Sequence, residues 1–101
     1  MYVKLESENE KKQLNKDRVA FVLRPFRYPS AIENGDVEVL NSDPPTKVRV
    51  SFIRQIESVT DLLPFLHLSG LDNAFLWIEY TLLNTPELAL ENCSLYCFNQ
   101  V

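Results

Sequence analysis

The chain has 101 residues, 46% hydrophobic and 24% charged, with a net charge of −4, which is the balance of one globular domain spanning residues 1–101. Two glycines (Gly35, Gly70), two cysteines and one histidine (His67) exclude a P-loop, a dinucleotide fingerprint, a disulfide scaffold and a His-rich metal site, so no metal or cofactor is expected. No apolar run reaches the roughly 18–20 residues of a bilayer span, and the opening segment is acidic and polar, so the expectation is a cytoplasmic protein with no membrane partner.

Tyr2 to Leu5 alternates weakly and reads as a short first strand. Ser7 followed by Glu10 has capping-box spacing, and residues 8–16 are good helix formers with Leu14 as the one apolar residue, which predicts a short, mostly exposed helix. Arg18 to Arg24 is a continuous apolar run between arginines, the pattern of a buried strand, and Pro25 and Pro29 force an irregular exit. Asn34-Gly35 marks a turn into an alternating strand at 36–40. A turn cluster at 41–45 leads to a long alternating stretch, 46–56, with Val48, Val50 and Phe52 on one face and Lys47, Arg49 and Ser51 on the other. Those two strands are expected to pair as a hairpin, and the phase break at Ile53-Arg54 predicts a bulge. Thr60-Asp61 caps a short helix through Leu66, and Asp72 or Asn73 starts a second to about Leu83, with Phe75, Ile78 and Leu82 beside Leu76, Tyr80 and Leu83 as a broad apolar face. A brief helical turn within 84–92 and an aromatic strand, 94–99, close the chain. The order β, α, β, β, β, α, α, β predicts an α+β fold: a twisted, mostly antiparallel sheet or small open barrel with two or three short helices on one side.

Charge is segregated along the chain. Residues 1–54 hold all ten bases and eight acids, a net of +2, whereas residues 55–101 hold six acids and no base. A domain so built can carry a basic wall and an acidic one.

The joint order of these pieces resembles the ASCH domains, which have a PUA-like barrel. The resemblance covers nearly the whole chain and is carried by Gln13 to Arg24, Gly35-Asp36-Val37, Lys47 to Ile56, Gly70-Leu71-Asp72 through Tyr80, and Leu95 to Phe98. It implies a cleft between barrel and helices, and activity on RNA or modified nucleosides. Catalytic members carry a Gly-x-Lys-Thr type segment before the first barrel strand. This chain has Asn15-Lys16-Asp17-Arg18 there, with Val22 at the cleft-facing Thr position, and only Arg24 matches directly. The resemblance therefore implies a fold and a cleft more than an enzyme.

Arg24, Arg27 and Tyr28 surround Pro25 at a strand exit, where guanidinium forks meet an aromatic face suited to phosphate and base. Lys47 and Arg49 share one face of the long strand and would extend a phosphate track. The bland alternatives are an Arg24 pair with Asp36 or Glu38, and a sheet face kept soluble by its charges. The leading expectation is a module binding RNA or a nucleotide through Arg24, Arg27, Tyr28, Lys47 and Arg49. A second is an amidohydrolase acting on a modified nucleoside, with Lys16 or Arg18 beside Arg24 and Glu38 as base. A third is a protein-interaction domain whose acidic helical side, Asp72 to Glu91, meets a basic partner. Trp77 packs a helix or lines the cleft, and His67 reads as a packed or surface residue.

Overall fold

A computed structural model describes residues 1–42, 45–83 and 90–101. The chain is a small α+β fold whose five-stranded mixed sheet curls into a half-barrel. The strands are β1 (Tyr2–Val3), β2 (Val19–Arg24), β3 (Asp36–Val39), β4 (Thr46–Gln55) and β5 (Ser94–Gln100), in the spatial order β1-β3-β4-β5-β2. β1 pairs with β3 in parallel, and the other pairings are antiparallel. The β3–β4 hairpin is present, and the register of β4 on β5 shifts between Phe52 and Arg54, where the sequence pattern loses phase.

Each strand's burial follows its pattern. β2 and β5 are central to two cores, so they are apolar on both faces; β3 and β4 alternate because one face meets solvent. On one side, Val22, Val37, Val48, Val50, Tyr96 and Phe98 pack with Leu14 of helix α1 (Glu8–Asp17). On the other, Leu23, Ile56, Leu62, Trp77 and Leu95 pack beneath a 3₁₀ helix (Val59–Leu68) and helix α2 (Ala74–Thr81).

Four expectations need correction. The helices do not share one side of the sheet: α1 packs on the face that carries Val22 and Phe98, and the 3₁₀ helix and α2 on the face that carries Leu23 and Leu95, because β2 and β5 are apolar on both faces. α1 begins at its Ser7 cap, whose hydroxyl accepts from the Glu10 N–H at 3.2 Å, but it buries Glu10 and Gln13 beside Leu14. These polar residues are tolerated because each has partners: Gln13 donates to the Asp17 carboxylate and the Val19 carbonyl, and Glu10 meets Arg24. The helix after β4 is 3₁₀ and starts at Val59, with Asp61 turned back to accept the N–H groups of Glu57 and Ser58. These two hydrogen bonds, ahead of the charge of Arg54, hold the Asp61 carboxyl below its ordinary range. α2 is capped by Asn73 as expected, yet Ala74 and Trp77 are its buried stripe, and Phe75 is 69% exposed. An eight-residue helix presses only one narrow stripe onto a sheet, and the one holding the largest ring prevails. The turn predicted at 41–45 includes Asp43 and Pro44, which lie outside the described residues, as do 84–89 of the 84–92 turn; Leu90–Asn92 forms a 3₁₀ turn.

Gly70 joins the 3₁₀ helix to α2. Its φ of +83° is costly for any residue with a Cβ, and a Cβ there would lie 2.5 Å from the Asn9 carbonyl oxygen. Glycine thus lets this junction press against α1, which sets the walls of the cavities described next.

Candidate functional site

The last residue of β2, Arg24, points into the end of the first core and is only 1% exposed. Its fork meets Glu10 of α1 through two bonds, Nη1 to Oε2 at 2.7 Å and Nη2 to Oε1 at 2.9 Å. Nε donates to the Tyr28 hydroxyl at 3.0 Å, and the carbonyls of Leu23 and Lys4 accept the remaining donors. All five N–H groups are thereby used. Burial by itself lowers the pKa of this guanidinium; the charge and hydrogen bonds of Glu10, with Tyr28, outweigh it and hold the pKa above its ordinary value. The carboxylate partner is Glu10, and neither Asp36 nor Glu38.

Arg27 and Tyr28 continue the network. Arg27 forms a two-bond fork with Glu33, both at 2.9 Å, while lying 3.8 Å over the Phe52 ring. Hydrogen bonds from Arg27 and Tyr96 hold the Glu33 carboxyl below its ordinary range. The Tyr96 hydroxyl donates to Glu33 and accepts the Tyr28 backbone N–H at 2.8 Å. The Tyr28 ring sits edge-on against both Phe26 and Tyr96, and burial pushes its hydroxyl pKa up despite Arg24. The structure therefore brings Arg24, Arg27 and Tyr28 together as expected, but as a closed network that ties the irregular strand exit to α1 and β5.

Lys47 and Arg49 lie on the solvated face of β4, opposite Val48 and Val50. Arg49 Nε binds Asp36 at 2.9 Å, and Lys47 faces Glu38 across the β3–β4 ladder. Neither lines the cavity next to Arg24. Arg18 is the left-handed cap of α1, Lys16 lines a different cavity, and Glu38 is on the outer sheet face, so the set Lys16, Arg18, Arg24 and Glu38 is not gathered in one cleft.

The larger cavity, about 480 Å³, opens between the start of α1, the exit of β2 and α2. Arg24 and Glu10 contribute to its wall, with Glu6 and Ser7 beside them, and Phe26, Trp77 and Tyr80 supply rings. Trp77 is 3% exposed and shared with the second core, whereas Tyr80 is 51% exposed. This volume is within the ordinary range for small-molecule sites, as is the mix of rings with a few fixed polar groups. Sequence reasoning placed Trp77 at a cleft but gave Glu10 only a capping role. The available signal was helical spacing: Glu10, Gln13 and Leu14 fall at i, i+3 and i+4.

Burial, then the charge of Glu91, pushes the Cys93 thiol up to about 11, and burial also raises Cys97, so neither is a thiolate near neutrality. Among the described residues no group of three or more His, Cys, Asp or Glu is placed to hold a metal ion, and no helix is long and apolar enough to cross a membrane. No protein-family model matches the chain, and comparisons with curated proteins and with solved structures find no significant match.

Proposed function

We propose that the chain is a PUA-like binding module that takes a flat heteroaromatic group, the base of a nucleotide or of single-stranded RNA, in the cleft between the half-barrel and α2. The observation that carries this reading is the cleft itself: a space of about 480 Å³ with Phe26, Trp77 and Tyr80 on its walls and the Arg24–Glu10 pair fixed beside them. Aromatic walls hold a base by stacking, worth roughly 1–3 kcal/mol per base, and need no sequence-specific partner. Arg24 serves as a rigid, saturated part of the wall, so it orders the site while Tyr80 and Phe26 make the contact. The chain has one tryptophan, and it lines the cleft. Titrating the protein with nucleosides, their 5′-monophosphates and short single-stranded RNA should therefore change Trp77 fluorescence saturably. Tyr80→Ala, at an exposed ring, should weaken that binding roughly tenfold at unchanged thermal stability. No fluorescence change with any of these ligands would defeat the proposal.

A protein-interaction reading is favoured by one separate observation. Phe75, Tyr80 and Leu83 are more than half exposed around α2, which also bears Glu79 and follows Asp72, in a half of the chain with no base. The matching occupant is a basic amphipathic peptide. Phe75→Ser would abolish binding of such a peptide and leave nucleoside binding intact.

A further inference from the structure

A second cavity, about 250 Å³, lies on the other side of the Gly70 junction, between α1 and the end of the 3₁₀ helix. Lys12 and Lys16 line it from α1, His67 and Asp72 line it from the opposite wall, and Gln13 contributes from the helix. We propose that this cavity is a phosphate site, and that it holds the phosphate of a ligand whose aromatic part occupies the larger cleft.

Five of the ten basic side chains are held in ion pairs among the described residues, and of the other five Lys12 and Lys16 line this cavity. Arg24, Arg27, Arg49 and Arg54 are paired with Glu10, Glu33, Asp36 and Asp61 at 2.7–3.3 Å, and Lys11 with Glu8 at 3.4 Å. Lys12 and Lys16 form no ion pair among the described residues. They are four apart on one helix, so the two ammonium groups share a face and repel each other. A dianion between them removes that repulsion, and the imidazole of His67 adds a donor from the facing wall. Asp72 opposes an anion as the carboxylate that lines the cavity with the two ammonium groups, and a second carboxylate, Asp17, is tied to the Gln13 amide. Gln13 is occupied, because its amide nitrogen already donates to Asp17 and Val19, so it shapes the wall without reaching the ligand.

Asn9 and Leu71 line both cavities, so they form the partition between them. Gly70 lies so close to Asn9 that an added Cβ would meet the Asn9 carbonyl, so backbone forms part of that partition. In the spanning ligand proposed, the flat group and the phosphate monoester lie on either side of this partition. This extension rests on the reading of the larger cleft; the phosphate site itself does not.

The test uses ¹⁵N-labelled full chain. Inorganic phosphate, added at constant ionic strength against a sodium chloride control, should shift the amides of Lys12, Lys16, Gly70 and Leu71 saturably, and Lys12→Gln/Lys16→Gln should abolish the effect while leaving the rest of the spectrum unchanged. Absence of saturation, or an undiminished response in the double variant, overturns the phosphate site. Nucleoside 5′-monophosphates should then quench Trp77 with at least about tenfold higher affinity than the nucleosides, and the double variant should reduce them to nucleoside affinity. Equal affinity of the two in the native chain overturns the spanning ligand. Phosphate shifts without any nucleoside binding uphold the anion site and defeat the cleft reading; nucleoside binding without phosphate shifts does the reverse.

Discussion

Two regions of the protein hold its positive charge in opposite ways. At the exit of β2, Arg24 and Arg27 are each gripped by a carboxylate through two bonds and packed against the rings of Phe98 and Phe52. On α1, Lys12 and Lys16 stand beside a cavity with no ion pair among the described residues. The planar, weakly hydrated guanidinium is suited to the first environment and the strongly hydrated ammonium to the second. The lesson is that arginines at a strand exit can hold a fold together while plainer lysines keep their charge available.

The largest effect should come from breaking the buried pair. Arg24→Ala leaves Glu10 as an uncompensated buried carboxylate and should cost about 3–5 kcal/mol in chemical denaturation, whereas Arg24→Met/Glu10→Leu should recover most of that loss. If the single variant proves nearly neutral, the network at β2 is not a structural one. Gly70→Ala comes next: a Cβ meets the Asn9 backbone at a left-handed φ, so roughly 1–3 kcal/mol is expected, with phosphate-induced shifts lost as the partition moves. Tyr96→Phe strands the Tyr28 N–H and should cost about 1–3 kcal/mol.

Acid should act on the same side. Glu33 has its carboxyl pKa depressed in the folded chain, first by the Arg27 hydrogen bond and then by that from Tyr96. A depressed folded value means stability that is present above the unfolded pKa and is lost as pH falls through the folded one. The native chain should therefore weaken below about pH 4.5, and Glu33→Gln should show a shallower acid dependence in thermal melts. The smallest effects are expected at exposed charges. Arg49→Ala should cost under about 1 kcal/mol, because its pair with Asp36 is half exposed on both sides. Lys12→Gln/Lys16→Gln should change stability by no more than about 0.5 kcal/mol while removing the phosphate response, which would place function and stability in separate regions.

Much of the fold was legible residue by residue. The continuous run from Val19 to Leu23 announced a strand buried on both faces, the alternation from Lys47 to Phe52 one buried on a single face, and the broken phase at Ile53 a bulge. The cleft was legible in part: Trp77 stood out as a ring that packs a helix or lines a cleft, and Arg24 as a charge ending an apolar strand. Glu10 did not: its spacing with Gln13 and Leu14 puts it on the helix face that is buried, but nothing local names its partner, an arginine fourteen residues away.

By itself, then, the sequence determined the elements, their order and which strand faces are apolar, since these depend on neighbours within a few residues and on the periods of helix and strand. Only the tertiary structure decided which charges are spent. Ion pairing depends on the approach of groups distant along the chain, such as Glu10 with Arg24, and on whether a glycine lets two elements meet closely enough to divide one space into two.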